Sequence, residues 1–136
     1  MTNRPEDVSQ LANQEYCYVT TTGRVSGRPH RIEIWFGMRG KTLYLLSGDG
    51  KSDWVRNMRV QPTVSVEIGE YTFTAQSRLV SDEQEDGFVR RLLAGKYQGW
   101  RDGYPLSEWA RTALPVALDL VILDGHSVEG DGPDAG

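Results

Sequence analysis

The sequence predicts a small, mainly β protein, an antiparallel barrel of six strands with helices packed outside it. Its 136 residues are enough for one hydrophobic core but not for two. Six runs rich in β-branched and aromatic residues are separated by turn-forming segments, as in small all-β folds. An open meander of six such strands would expose long edges, so closure into a barrel with a filled interior is favoured. Any ligand must then bind against the outer wall or at a subunit junction.

The predicted strands follow one another at short intervals along the chain. They cover residues 15–22, 29–37, 41–47, 63–69, 71–80 and 116–123. Glycine-containing turns at 37–40 and 69–70 predict two hairpins, one between the second and third strands and one between the fourth and fifth. In the second strand, Ile32 and Ile34 alternate with polar residues, so Trp35 is predicted to face away from the aliphatic side.

Three helices are predicted around the strands. The first covers residues 5–12, and the second covers 52–58, with Ser52 as its N-cap. Ser81 and Gln84 have the spacing of a capping box and are predicted to open a longer helix. Residues 1–123 are predicted to form one cofactor-binding domain, followed by a disordered Gly, Asp and Pro-rich tail over 124–136.

Charge is segregated along the chain although the net charge is only −4. Eight of the fifteen cations lie between Gly23 and Arg59, together with three of the nineteen acids. A basic segment within an acidic protein indicates a face that binds a small anion, whereas affinity for nucleic acid would favour a domain that is basic overall. The alternative is a set of ordinary solvated arginines.

Several function classes are excluded by what the sequence lacks. It has no run of about 20 apolar residues and no signal-peptide pattern, so we expect a cytoplasmic protein without an integral membrane segment. Cys17 is its single cysteine, so no internal disulfide can form. The two histidines do not have metal-ligand spacing with that thiol, and no Ser, His and carboxylate set indicates a triad. We therefore predict no metal site and no nucleophilic catalytic residue.

The sharpest local motif is a strand that runs into a glycine-punctuated turn, Thr-Thr-Thr-Gly-Arg-Val-Ser-Gly-Arg-Pro-His, over residues 20–30. Gly23 and Gly27 allow the backbone to turn with its N–H groups outward, and the guanidinium of Arg24 or Arg28 matches phosphate or carboxylate. The motif indicates a phosphate site. A plain hairpin loop with surface arginines is the alternative.

A second candidate anion site follows the third predicted strand, where Ser-Gly-Asp-Gly-Lys-Ser-Asp-Trp occupies residues 47–54. The segment resembles a phosphate-binding loop only in part, because the glycine required five positions before Gly50 is replaced by Leu45. ATP or GTP hydrolysis is therefore not indicated. Lys51 and the free amides at the start of the helix still predict an anion site close to Arg24.

Four large aromatic residues between 97 and 109, Tyr97, Trp100, Tyr104 and Trp109, either pack in the core or form a wall on which a flat ring can stack. An anion site and flat walls without catalytic acids favour a protein whose cofactor supplies the chemistry.

The sequence resembles the deazaflavin-dependent nitroreductase family, which belongs to the flavin/deazaflavin oxidoreductases. The resemblance covers roughly residues 15–120. It is carried by the turn at 21–29, the strand through Ile32, Ile34 and Trp35, Leu-Leu-Ser-Gly at 45–48, Asp-Trp-x-x-Asn at 53–57 and Gln-Pro-x-Val-x-Val at 61–66. It implies the FMN-binding-like split β-barrel of pyridoxamine 5′-phosphate oxidase.

The resemblance also implies site residues. The cofactor-binding set is Arg24, Ser26, Gly27, Arg28, His30, Ser47, Gly48, Lys51 and Trp54. The substrate-side set is Trp35, Tyr97, Trp100 and Tyr104. The expected cofactor is the deazaflavin coenzyme F420. Because Val25, His30 and Gly48 stand where the family tends to be basic, FMN remains the alternative cofactor.

The function that the resemblance implies is hydride transfer from a reduced deazaflavin to a small flat electrophile, such as a quinone, nitroaromatic or activated enone. An FMN-dependent oxidoreductase on the same fold, or a non-catalytic cofactor-binding or storage protein, are the alternatives. The expected partner is a small-molecule electron acceptor, with no nucleic acid. A homodimer is possible for barrels of this type.

Overall fold

A computed structural model describes residues 8–48 and 51–121, and within them seven strands form one antiparallel sheet. The sheet order is β2-β1-β5-β6-β7-β4-β3. The strands are β1 (Cys17–Thr22), β2 (Pro29–Ile34), β3 (Gly37–Arg39), β4 (Thr42–Ser47), β5 (Thr63–Ile68), β6 (Tyr71–Leu79) and β7 (Leu114–Leu120). The predicted mainly β, antiparallel class is confirmed, with seven strands in place of six.

The sheet is curled because its two edge strands are consecutive in the chain. Only Trp35 and Phe36 separate β2 at one edge from β3 at the other. So short a link requires the two edges to approach each other, which gives the sheet the shape of a split barrel.

The predicted strand over 29–37 is therefore divided, and the predicted hairpin between the second and third strands is wrong. β2 pairs with β1, and the new strand β3 pairs with β4 across a turn at Gly40, whose φ is +61°. The local sequence is uniformly strand-like from Pro29 to Trp35, so only the need to pass from one edge of the sheet to the other breaks it. The predicted β5–β6 hairpin is confirmed.

Alternating residues of β4 divide the core between the two faces of the sheet. Leu43 and Leu45 point into the barrel with side chains such as Val19, Val66 and Val116. Tyr44 and Leu46 point outward into a second cluster that is covered by α2 (Glu83–Gln98). The barrel interior is thus filled, as the size of the protein predicts.

Three helical segments occupy the predicted places with shifted ends, and a short fourth one near residue 110 was not predicted. A 3-10 helix (Val8–Asn13) opens the described chain, α1 is Asp53–Val60 and a short α3 is Glu108–Thr112. The predicted capping box is wrong, because Asp82 is the N-cap of α2 and its carboxylate accepts from the Glu85 amide at 2.8 Å. The Asp82 carboxylate, one residue after Ser81, accepts a charge-assisted hydrogen bond, which is stronger than a bond to a neutral hydroxyl. Residues 5–7, the end of the last predicted strand at 122–123 and the predicted tail over 124–136 lie outside the described residues.

Arg78 joins α2 to the sheet through an ion-pair network. Its guanidinium donates two hydrogen bonds of 2.9 Å to Glu85 and one of 2.7 Å to Asp119. Tyr44 also donates to Glu85, at 2.6 Å. The pKa of Glu85 is lowered to about 2, first by the hydrogen bonds from Arg78 and second by the hydrogen bond from the Tyr44 hydroxyl.

This network predicts a specific acid sensitivity. A carboxylate with a lowered pKa in the folded protein stabilises it above the pKa of the unfolded chain, and that stability is lost as the pH falls towards the folded value. We expect Glu85→Gln to lower the free energy of unfolding at pH 7 by about 1 kcal/mol, allowing for solvent screening. Urea unfolding between pH 7 and 3 should show the wild-type advantage shrinking below about pH 4.5. A constant difference across that range would contradict the prediction.

Candidate functional site

The loop between β1 and β2 is a rigid turn, which we call the anion turn (residues 23–28). The Gly23 amide donates to the Arg28 carbonyl at 2.8 Å, and the Gly27 amide donates to the Gly23 carbonyl at 2.9 Å. Gly27 has a φ of +75°, which favours glycine. The Ser26 hydroxyl accepts from the Arg28 amide at 3.1 Å. Ser26 and Gly27 thus shape the turn, and Arg24 and Arg28 extend from it.

Asn57 fixes Arg24 against α1. Its amide oxygen accepts from the Arg24 guanidinium at 2.8 Å and from the Arg24 backbone at 3.1 Å, while its amide nitrogen donates to Thr21 at 3.1 Å. The Asn57 side chain is 1% exposed, so both ends of the amide are satisfied inside the protein. Arg24 also donates to Asp53 at 3.2 Å. These contacts preorganise one cation at the start of α1.

Beside this cation lies a groove of about 270 Å³, which we call the turn groove. It is lined by Gly23, Arg24, Val25, Ser26, His30, Asp53 and Asn57. Three of the predicted cofactor-binding residues, Arg24, Ser26 and His30, therefore share one concave surface. Gly27 and Arg28 belong to the same turn without lining the groove.

The remaining predicted cofactor-binding residues surround the start of α1. The hydroxyls of Ser47 and Ser52 lie 3.2 Å apart, and Gly48 and Lys51 are exposed. Ser47 is 2% exposed and Trp54, which packs in the barrel core, is 8% exposed. Ser47 and Trp54, which were predicted to border the cofactor ring, thus expose little of their side chains, whereas Gly48 and Lys51 are open to solvent.

The tight packing under the anion turn leads to a stability prediction. A Cβ at Gly23 would lie 2.8 Å from both the His30 ring and the Ser26 hydroxyl, whereas a Cβ at Gly48 meets no atom of the described residues within 4 Å. We expect Gly23→Ala to lower the free energy of unfolding by about 1–3 kcal/mol, the usual range for overpacking. Gly48→Ala should change it by less than about 0.5 kcal/mol. Urea denaturation of both variants measures this, and equal effects would argue against a packed turn.

A second groove of about 400 Å³, which we call the aromatic groove, lies at the other end of β2. It is lined by Tyr16, Glu33, Ile34, Trp35, Leu46, Gln98 and Trp109. Trp35 stacks on Tyr97 with ring centroids 4.2 Å apart and an interplanar angle of 3°, and Trp109 meets Trp35 edge-on at 5.6 Å. The indole is fixed by these two aromatic contacts and remains 40% exposed, so part of its surface is open to a ligand.

The end of α2 anchors the segment that carries Trp35. The Tyr97 hydroxyl donates to the Glu15 carbonyl at 2.5 Å and accepts from the Phe36 amide at 3.0 Å. Lys96 donates to the carbonyls of Gln14 and Phe36 at 2.7 and 3.0 Å. Burial lowers the pKa of Lys96 and raises that of Tyr97. Two adjacent side chains thus hold the segment before β1 and the link between β2 and β3.

Trp100 and Tyr104 lie outside the lining of this groove. The Trp100 indole donates to the Tyr104 carbonyl at 2.7 Å, and Tyr104 is 60% exposed. Cys17 is fully buried, and burial raises its pKa to about 12, so the thiol is inert at neutral pH.

The sequence did not predict Tyr16 or Gln98 as lining residues, and it left Trp109 open between the core and a ligand wall. Trp109 belongs to the aromatic run that the sequence singled out, which is a usable signal. Tyr16 precedes β1 and Gln98 ends α2, and only the curvature of the sheet brings them to Trp35. Asn57 was also missed, although it is part of the motif at 53–57 that carries the family resemblance.

The two grooves lie at opposite ends of one strand. His30 lines the turn groove and Glu33 lines the aromatic groove, so about 10 Å of extended chain separates the two linings along β2, at 3.3 Å per residue. Arg24, His30 and Lys51 fit a phosphate or carboxylate group, and Trp35 fits a planar ring. The donor set therefore suits an organic coenzyme with an anionic tail.

No helix in the described part of the chain is long and apolar enough to cross a membrane.

Comparison with solved structures supports the fold assignment. A Listeria innocua protein provisionally named a pyridoxamine 5′-phosphate oxidase is 20% identical, with a TM-score of 0.62 over 81% of this chain and 86% of that one. A protein described as an F420 reductase is 18% identical, with a TM-score of 0.61 over 87% and 96% of the two chains. An F420-H2 dependent reductase is 18% identical, with a TM-score of 0.57 over 76% and 93%.

The sequence itself matches a family model over residues 1–118. That model is described as F420H(2)-dependent quinone reductase.

Proposed function

Because this chain belongs to the F420H(2)-dependent quinone reductase family, we propose that it reduces small, flat electrophiles held in the aromatic groove, with coenzyme F420 anchored at the anion turn. When bound, the reduced deazaflavin supplies a hydride. The family is one of oxidoreductases, so the enzyme assignment and the deazaflavin cofactor rest on membership. The observation that carries the finer proposal is the exposed indole of Trp35, fixed by its 4.2 Å stack on Tyr97.

On the coenzyme side, the residues of the anion turn and the start of α1 supply the charge. Arg24 is already oriented by Asn57 and Asp53, so little conformational entropy is lost when its remaining donors meet an anion. Asp53 offsets part of the Arg24 charge, and Arg28, His30 and Lys51 add donors beside it. We propose that these residues bind the phosphate and acidic tail, whereas Ser47, Gly48 and Trp54 lie towards the ring.

On the acceptor side, Trp35 supplies a flat face and Trp109 closes one flank. Gln98 offers a directed donor, because its amide oxygen accepts from the Ser107 hydroxyl at 2.7 Å. The Gln98 amide nitrogen is thereby left to donate to a ligand oxygen, where negative charge increases as a carbonyl or nitro group is reduced. Tyr97 supports Trp35 from beneath, and Trp100 and Tyr104 are proposed to approach only larger acceptors.

The test is steady-state oxidation of reduced coenzyme F420 by menadione, followed by absorbance, with reduced FMN in a parallel assay. We expect turnover with the deazaflavin and much less with FMN. Tight binding of the deazaflavin without turnover with any quinone, nitroaromatic or enone would instead favour the storage protein. Faster turnover with FMN would favour the flavin-dependent alternative.

We also propose that the protein forms a homodimer. We propose in addition that residues 1–123 form a single domain and that the protein is located in the cytoplasm. β2 is an edge strand whose residues are largely exposed, and such an edge offers unpaired backbone groups with which another chain can pair. One structural neighbour, 18% identical with a TM-score of 0.61 over 76% and 79% of the two chains, is described as a domain-swapped dimer. Light scattering of the purified protein measures the oligomeric state, and a monomeric mass would refute this part of the proposal.

A further inference from the structure

Glu33 is the one formally charged side chain among the residues that line the aromatic groove. The other lining residues are aromatic, aliphatic or, in the case of Gln98, a neutral amide. None of the ion pairs within the described residues includes Glu33, and the neighbouring Arg31 pairs with Glu67 instead. The groove therefore carries one negative charge beside an otherwise uncharged wall.

Neighbouring contacts hold this carboxylate in place without neutralising it. The Tyr18 hydroxyl donates to Glu33 at 3.1 Å. Arg31, the nearest cation along β2, is occupied by Glu67, to which it donates two hydrogen bonds of 3.1 Å. The same guanidinium lies 3.9 Å above the Tyr18 ring. These contacts hold Arg31 on the β1 and β5 side, where its hydrogen bonds go to Glu67 and its interaction with Glu33 is Coulombic only.

We propose that Glu33 is a specificity-determining residue that makes the aromatic groove select uncharged flat acceptors over anionic ones. This inference rests on the proposed function, because it takes the groove to be the acceptor site. A fixed carboxylate repels a sulfonate or carboxylate that stacks on Trp35, because two like charges about 4 Å apart in water interact by about 1 kcal/mol and more strongly at a partly desolvated surface. An uncharged quinone experiences no such repulsion.

The test compares two flat probes of similar shape, 2-(hydroxymethyl)anthraquinone and anthraquinone-2-sulfonate. Calorimetric titration of the full-length protein without coenzyme measures binding independently of turnover. We expect the neutral probe to bind about five- to tenfold more tightly at low salt, a ratio that follows from about 1 kcal/mol of repulsion. The ratio should fall at 0.5 M salt, because added ions screen exposed charges.

The decisive variant is Glu33→Gln, which retains an oxygen that can accept from Tyr18. It should strengthen sulfonate binding until the two probes differ by about twofold or less, while the affinity for the neutral probe stays unchanged. Glu70→Gln is the matched control, because it removes the same charge from an exposed turn between β5 and β6. That variant should keep the wild-type ratio.

The outcomes separate this inference from the proposed function. If the neutral probe binds and is weakened by Trp35→Ala, but the ratio is the same in wild type and Glu33→Gln, the groove binds acceptors and the role of Glu33 is wrong. If neither probe binds, or binding is unaffected by Trp35→Ala, the acceptor site itself is wrong and the inference is overturned with it.

Discussion

Replacing Arg24 with alanine should raise the dissociation constant of coenzyme F420 by about 10- to 100-fold, which corresponds to the 1.5–3 kcal/mol of a hydrogen bond to a charged group. The guanidinium is preorganised by Asn57 and Asp53, so its loss removes an interaction that is already oriented. Titration of the coenzyme by its fluorescence, at two salt concentrations, measures the effect. The salt dependence of binding should weaken in the variant, because one cation fewer meets the anionic tail.

Two variants control for charge and for folding. Arg59→Ala removes an exposed cation from the last turn of α1 and should leave the affinity within about twofold. Arg24→Lys retains the charge but loses the forked geometry, so an intermediate affinity is expected. Arg24→Ala also removes one of the two donors to the buried Asn57 oxygen, while the backbone amide of residue 24 still donates to it, so about 0.5–1.5 kcal/mol of stability should be lost. An unchanged affinity in a folded Arg24→Ala protein would refute the anion site.

Replacing Trp35 with alanine is expected to raise the KM for a quinone acceptor by about tenfold, since an aromatic stack contributes about 0.5–1.5 kcal/mol in addition to the apolar area it buries. The coenzyme dissociation constant should change much less, because the anion turn lies at the opposite end of β2. Steady-state kinetics with menadione, together with the coenzyme titration, separate the two effects.

Trp35→Phe tests whether the flat ring is what matters, and it should recover most of the wild-type KM. Tyr104→Ala removes an exposed aromatic residue that lies outside the groove lining and should leave the KM for menadione near the wild-type value. If Tyr104→Ala raised the KM more than Trp35→Ala, the acceptor would have to bind towards the loop after α2 instead.

Local sequence predicted most of the strands because their signals are local. The alternation of β-branched and apolar residues in β5 and β6 and the Gly69 turn between them are contained within a few residues, so that hairpin was predicted correctly. The break at Trp35 and Phe36 has no local signal. It arises because the chain must cross from one edge of the sheet to the other when the barrel closes. This requirement depends on the whole fold and not on the local sequence.

The candidate site divides in the same way. The turn at residues 23–28 could be predicted because its glycine spacing is encoded within eleven residues, and its role in binding an anion stays a prediction. The partners that orient Arg24 could not, because Asn57 lies 33 residues away and reads locally as one more polar position of an amphipathic helix. Gln98 and Trp109 likewise reach the aromatic groove only through the packing of α2 and α3.

The two-residue link between the sheet edges has a dynamic consequence. Any motion that separates β2 from β3 must displace Trp35, because this residue lies in the link between the two edge strands. Lys96 and Tyr97, near the end of α2, form hydrogen bonds with the backbone of Phe36 in this link and so oppose that motion. A ligand bound against the indole would therefore oppose the same opening. Opening of the barrel and dissociation of the acceptor are thus coupled through one short segment of backbone.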